Sequence, residues 1–205
     1  MSQMENEVIE GSFNRFRNSF WGDIIQIVII SLIIVIPFRI YIAQPFLVSG
    51  PSMDDTFLNG QYLIVDELTY NFRDPKRGEV VIFHYPLDTT KFFIKRVIGL
   101  PGETIQIKND VITICQTDCE TDKNKFKLIE PYIKIDKLSP KRPDELITLK
   151  NDEYYVLGDN RSVSSDSRIW GPVKRSLFNG RPFLRLLPVN KINLFPGQTQ
   201  IIEER

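Results

Sequence analysis

Apolar positions run together in one place. From Ile24 to Phe38 the chain reads IIQIVIISLIIVIPF, and RIYIA carries it on to Ala43. That is about twenty mostly apolar positions, and at about 1.5 Å each as helix they match a hydrocarbon core of about 30 Å. The alternative is a buried core helix, but Ile24–Ile36 has no polar face. A cleaved leader fits poorly, because the stretch ahead is long and the exit carries Pro37 and Arg39 instead of a small-residue cleavage site. The pattern therefore predicts a transmembrane anchor over residues 20–43, with residues 1–19 ahead of it. Arg15 and Arg17 precede the span, and no Lys or Arg occurs between Ile40 and Val65. The positive-inside rule then puts the N-terminal segment in the cytoplasm and residues 44–205 outside, with one pass through the cell membrane.

Beyond Ala43 the period changes to two. Gln61–Val65, Glu79–Tyr85, Lys91–Ile98, Glu103–Lys108, Asp110–Ile114, Tyr154–Leu157 and Phe183–Leu187 read as strands. NG, DPKRG, LPGE, KND and LGDN punctuate them as turns. Short strands with regular turns predict a mainly β body, an antiparallel sheet or barrel. Residues 115–152 are more charged and less periodic, with prolines at 131, 140 and 143. They mark a small inserted lobe, taken as about residues 103–152 with its leading strands.

Composition narrows the chemistry. The 26 Lys and Arg balance 26 Asp and Glu, so a basic nucleic-acid binder is disfavoured. One histidine, His84, leaves no HExxH helix and no zinc site, and neither a metal nor an organic cofactor is expected. A serine triad using histidine must use His84, which lies in the strand VVIFHYP with no motif around it. Two cysteines, Cys115 and Cys119, are too few for a disulfide framework. An extracytoplasmic body permits their pairing, and free thiols are equally compatible with the spacing.

Three segments carry candidate chemistry. Ser52 sits in VSGPSMDDTF, where Gly50 and Pro51 bend the backbone and can present a hydroxyl with free N–H groups. Alone, a serine in such a turn is ordinary. Lys95 sits in FFIKRVIG, sharing one strand face with Phe93 and Val97, while Arg96 shares the other with Ile94 and Ile98. Either this is an edge-strand lysine reaching water, or it is a desolvated amine. Free lysine titrates near ~10.4, and burial among apolar walls disfavours the ammonium. A neutral lysine can take the Ser52 proton in place of a histidine. The third segment is YYVLGDNRSVSSDSRIWGPV, Tyr154–Val173, a strand running into hydroxyls and opposite charges. As a bare pattern it is a polar loop held by its own hydrogen bonds.

Together and in this order, these segments resemble the bacterial type I signal peptidases, membrane-anchored Ser–Lys endopeptidases that remove signal peptides from exported proteins. GPSMDDTF resembles the family's serine box, YLIVDELTYNFRDPKRGEVVIF the next, FFIKRVIGLPGE the lysine box and GDNRSVSSDSRIWGPV the last. KRSLFNGRPFLRLLP fits the C-terminal strand region. The resemblance covers about residues 20–190. It implies Ser52 as nucleophile, Lys95 as general base and Ser164 as the hydroxyl that orients the lysine. It implies that Asp159, Asp166 and Arg168 brace the site, that Arg96 is structural, and that His84 is structural too. Asp55 stands where the family usually has proline, and Gln61 replaces a usual acidic residue. Gly50 has no hydroxyl, so the oxyanion would rest chiefly on the Ser52 N–H.

The expected substrate is a signal peptide, bound extended along a sheet edge near Lys95. Residues one and three before the cut then point the same way, and shallow apolar pockets beneath them demand small side chains. Met53, Phe57, Phe93 and Ile94 are the expected pocket walls. Ser52 lies nine residues beyond Ala43, at most about 30 Å of extended chain, so the site should stand close to the outer membrane face. A monomer suffices for this chemistry. The readings that compete are a Ser–Lys peptidase with a different processing task and a catalytically dead, membrane-tethered β module that binds exported peptides.

Overall fold

In the computed structural model, residues 20–41, 43–116, 119–138 and 143–204 are described. The expected cytoplasmic segment 1–19 lies outside them. The chain divides into two units, Met1–Ile42 and Ala43–Arg205. The first contains helix α1, Phe20–Tyr41, whose described side chains run from Trp21 to Val35. Its isoleucines, leucine and valines stand largely exposed around the helix, Ile27, Ile30 and Ile33 among them. Among the described residues, no helix is long and apolar enough to cross a membrane.

The second unit is built almost wholly from antiparallel strands: β1 Ala43–Leu47, β2 Tyr62–Asp66, β3 Val80–Tyr85, β4 Asp88–Gly99, β5 Thr104–Lys108, β6 Val111–Cys115, β7 Phe126–Ile129, β8 Glu145–Thr148, β9 Glu153–Leu157, β10 Val173–Lys174, β11 Phe178–Leu187, β12 Asn193–Leu194 and β13 Ile202–Glu204. Two short helices, α2 Thr69–Phe72 and α3 Ser167–Trp170, lie between them. The larger sheet runs β1-β2-β11-β3-β4-β9-β10, with β12 on β11, and the smaller β13-β7-β6-β5-β8. The seven expected strands all form, within a few residues of their expected ends. Strands β5 to β8, within the expected lobe's residues, form the smaller sheet, and β13 joins it by pairing with β7.

Alternation places the cores. On β9, Tyr154 and Val156 enter one apolar cluster with Val81, Phe83, Val97 and Phe178. Tyr155 and Leu157 enter another, with Ile98, Ile105, Ile112 and Ile114 from the lobe. On β4, Val97 and Ile98 divide the same way, so β4 and β9 are apolar on both faces. A third cluster, Val48, Met53, Phe57, Leu63 and Val80, packs beneath the serine segment. Cys115 and Cys119 are joined in a disulfide beside β5, which decides the pairing that the sequence left open.

Strand β4 is paired unevenly. Along one side β3 accompanies it from Asp88 to Arg96. On the other, β9 pairs only with residues from Arg96 to Gly99. From Asp88 to Lys95 that second edge has no strand partner among the described residues, and Lys95 sits where the free edge begins.

Candidate active site

The serine segment follows β1 as a chain of tight turns. Gly50 has φ +92°, a left-handed conformation that side chains disfavour. Asp54 N–H bonds the Pro51 carbonyl, and Thr56 and Phe57 N–H both bond that of Met53. Asp55 has φ +78°, which the ring of a proline could not adopt; its carboxylate pairs instead with Lys134. Aspartate, where the resemblance expects proline, thus stands in a backbone conformation closed to proline.

Lys95 reaches across to this turn. Its Nζ lies 2.8 Å from Ser52 Oγ and 2.9 Å from the Ile94 carbonyl oxygen. The Lys95 residue is 3% exposed, and the Phe93 ring lies 5.2 Å from the nitrogen. Burial pushes its pKa down to about 8, against the opposing charges of Asp166 and Asp159. A lysine this buried is no edge lysine reaching water. Near neutral pH a useful fraction of such an amine is uncharged, and the 2.8 Å contact then reverses. The Ser52 hydroxyl donates to the nitrogen lone pair, which is the geometry of general-base activation.

The strand-to-loop segment after β9 clamps the serine turn from above. Asn160 N–H bonds the Ser52 carbonyl at 3.0 Å, and Asn160 Nδ2 bonds the Pro51 carbonyl at 3.1 Å. Asp159 N–H approaches Met53 Sδ at 3.4 Å, and Thr56 Oγ1 donates to Asp159 Oδ2 at 2.5 Å. Gly158 makes this approach possible: a Cβ there would stand 2.1 Å from Ser164 Oγ and 2.5 Å from the Ser52 carbonyl oxygen.

Two carboxylate–guanidinium pairs hold the surroundings. Arg96 binds Asp159 through both oxygens, at 2.8 and 2.6 Å, and gives its remaining nitrogen to the Gly78 and Gly197 carbonyls. Its guanidinium also stacks over the Tyr132 ring. Asp166 caps α3 through the Arg168 N–H, accepts from Gly158 N–H, and is gripped on both oxygens by the Arg168 side chain. Burial pushes the Asp166 carboxyl up, but these bonds and the Arg168 charge outweigh it and hold the carboxyl below its usual range. Arg161 bonds the Gly158 carbonyl and pairs with Glu130 of the lobe.

A cleft of about 460 Å³ opens beside Ser52 and Lys95. Phe46, Val48, Leu63, Ile82, Phe93 and Ile94 line it, together with Val163 and Ser165. Among the described residues, the Ser52 N–H donates to no protein acceptor, whereas the Gly50 N–H is taken by Asn59 Oδ1 at 2.9 Å. The Ser52 N–H is thus available to a substrate oxygen.

The signal peptidase family model, described as "Signal peptidase, peptidase S26", matches residues 21–187. The chain belongs to this signal peptidase family. Similar proteins include a signal peptidase I of Leptolyngbya laminosa, 34% identical over 171 residues, which cover 80% of this chain and 78% of that protein. Another, from Bacillus amyloliquefaciens, is 32% identical over 176 residues, covering 82% and 85%. A crystal structure of signal peptidase I from Enterococcus faecalis overlaps with a TM-score of 0.43 at 30% identity, covering 53% of this chain and 97% of that one. As a member of the signal peptidase family, the chain is a serine endopeptidase.

The structure brings Ser52, Lys95, Ser164, Asp159, Asp166 and Arg168 together at one end of the cleft. Ser164 is buried beside Gly158; its Oγ bears on the Asp166 carboxylate, and among the described residues it makes no hydrogen bond to Lys95. Of the expected pocket walls, Phe93 and Ile94 line the cleft. Met53 and Phe57 do not: both side chains are turned into the third cluster, where Met53 meets Asp159 N–H. That placement corrects the expectation, because the tight serine turn points its apolar residues down into the core. His84 lies apart, with Nδ1 on the Thr89 carbonyl and its ring against Phe92. Gly158 and Asn160, which clamp the serine, show in the sequence only as the turn LGDN that ends a strand.

Proposed function

We propose that this protein removes N-terminal signal peptides from exported preproteins, with Ser52 as nucleophile and Lys95 as general base. The observation that carries the proposal is the 2.8 Å approach of a buried Lys95 nitrogen to Ser52 Oγ at the mouth of an apolar cleft. Neutral Lys95 accepts the Ser52 proton as Oγ attacks the scissile carbonyl. The developing oxyanion takes a hydrogen bond from the Ser52 N–H. The lysine, now an ammonium, passes its proton to the leaving amine. A water deprotonated by the Lys95 amine then attacks the acyl carbon, and Lys95 returns that proton to Ser52 Oγ as the ester bond breaks. The residues present suffice for each proton transfer.

The substrate enters as an extended segment. Between Asp88 and Lys95 the free edge of β4 offers backbone groups for strand addition, and β1, which among the described residues ends the larger sheet, offers another. Alternate side chains of a strand laid there point into the cleft beneath, where Phe46, Leu63, Ile82 and Ile94 leave shallow apolar space. Small residues at positions one and three before the cut fit such walls.

We read α1 as the anchor that holds the peptidase at the outer face of the cell membrane. The support is the apolar sequence Ile24–Ala43, the exposure of its described side chains around the helix, and Arg15 and Arg17 ahead of it. The Cys115–Cys119 disulfide suits an oxidising compartment. Anchoring enzyme and substrate in one plane raises their effective concentration, and one chain carries all the chemistry. The test is cleavage of a signal-peptide reporter by the full chain in detergent micelles, beside Ser52→Ala and Lys95→Ala. Cleavage at the junction by the native chain alone is the expected result. Binding without turnover by the native chain would overturn the proposal.

A further inference from the structure

Two buried carboxylates flank the catalytic pair: Asp166 accepts from the Gly158 N–H, Gly158 packs against the Ser52 carbonyl, and Asp159 follows it in the chain; each is held by its own guanidinium. Asp159 and Asp166 are each buried and each bears on Lys95 as an attracting negative charge. Left bare, a carboxylate a few ångströms from a lysine favours the ammonium and moves its titration up by about one unit or more. Neither is bare. Arg96 covers both oxygens of Asp159 at 2.8 and 2.6 Å, and Arg168 covers both oxygens of Asp166 at 2.8 and 2.7 Å.

We propose that Arg96 and Arg168 are positioning residues that act through charge: each screens one carboxylate from Lys95 and so leaves the amine free to shed its proton. The proposal rests on the Ser52–Lys95 reading of the site. It also explains a double requirement of the clamp. Asp159 and Asp166 are needed to hold the Thr56 hydroxyl, the Gly158 N–H and the start of α3. Yet each places a negative charge where a neutral lysine is wanted. A bidentate guanidinium keeps the hydrogen bonds and offsets part of the charge.

Of the remaining charges around the site, Arg161 also bears on Asp159, but it is paired with Glu130. Its own strand contributes Arg96 and the uncharged Phe93 and Ile94. On β3, Val81 stands opposite it. The serine segment brings the Ser52 hydroxyl, half-buried Asp54, and Asp55 paired with Lys134. The segment after β9 brings Ser164 and Arg161, and Arg161 pairs with Glu130.

The full chain in detergent is assayed for peptide cleavage, and kcat/KM is followed against pH for Arg168→Gln, Asp166→Asn and Arg168→Lys. Arg168→Gln unmasks Asp166 and should move the acidic limb upward by about one unit. Asp166→Asn keeps the helix cap, removes the charge, and should move the limb downward. Arg168→Lys should leave it near the wild-type position. A role confined to shape cannot produce shifts of opposite sign. Limbs that coincide in all variants, or that move the same way in Arg168→Gln and Asp166→Asn, overturn the inference. For variants too slow to assay, the Lys95 amine is titrated directly by NMR in a Ser52→Ala background, with the same signs expected. A wild-type profile with no acidic limb sinks the Ser52–Lys95 reading itself. A wild-type limb near pH 8 that ignores both substitutions sinks only this inference.

Discussion

Replacing Gly158 by alanine adds one methyl group at the tightest contact in the site. Its Cβ would meet the Ser52 carbonyl oxygen at 2.5 Å, Ser164 Oγ at 2.1 Å and Ser164 Cβ at 2.6 Å. The Ser164 hydroxyl can rotate away, but the Ser52 carbonyl is backbone and already held by Asn160 N–H. Relief requires the serine turn and the clamp to part by about 1 Å. A misplacement of that size in a catalytic pair costs roughly 10²-fold in rate, or about 2.7 kcal/mol of transition-state stabilisation. Overpacking adds about 1–3 kcal/mol of lost stability. The assay is kcat/KM for a signal-peptide substrate with the full chain in detergent, beside its thermal midpoint. We expect kcat/KM to fall about a hundredfold while the protein remains folded. Wild-type rates in Gly158→Ala would refute the claim that this close approach sets the Ser52 position.

Other substitutions report on other links. Lys95→Met should raise stability at pH 7 by up to about 3 kcal/mol while abolishing cleavage, because the folded site holds this lysine well below its unfolded pKa. The sign follows from proton counting: between pH 8 and about 10.5 the unfolded chain binds the extra proton, so wild-type stability should climb through that window, and urea titrations across it should show no such climb in Lys95→Met. Asp159→Ala leaves Arg96 buried without its partner and should cost about 3–5 kcal/mol in urea denaturation. Replacing Cys115 and Cys119 by serine should cost about 2 kcal/mol, seen as a lower calorimetric midpoint, with cleavage retained at the native optimum.

Most of the β body is legible in the sequence because its strands alternate cleanly. The split of β4 into a Phe93–Lys95–Val97 face and an Ile94–Arg96–Ile98 face reappears in the apolar clusters, with Val97 in one and Ile98 in another. Strand β1 is hidden because it follows the apolar run directly and carries Pro45, which reads as a break. The pairing of β13 with β7 joins residues more than seventy positions apart, and three residues at the end of a chain leave no local signal for it. Site residues on short motifs, Ser52 and Lys95 above all, can be placed from the order of their boxes. What those boxes cannot show is depth. Met53 and Phe57 look like pocket walls beside a nucleophile, yet the turn hydrogen bonds at Met53 rotate both into the core. Gly158 is equally silent, since the need for a missing Cβ exists only once the Ser52 carbonyl stands above it.

In this mechanism the buried amine of Lys95, in its neutral form, draws the proton from Ser52. The deciding measurement is the pH dependence of kcat/KM for the full chain in detergent, beside Lys95→Arg. We expect an acidic limb inflecting near pH 8 in the wild type and no cleavage by Lys95→Arg, whose guanidinium does not deprotonate. Cleavage by Lys95→Arg, or a wild-type rate that stays flat from pH 6 to about 10, would contradict it.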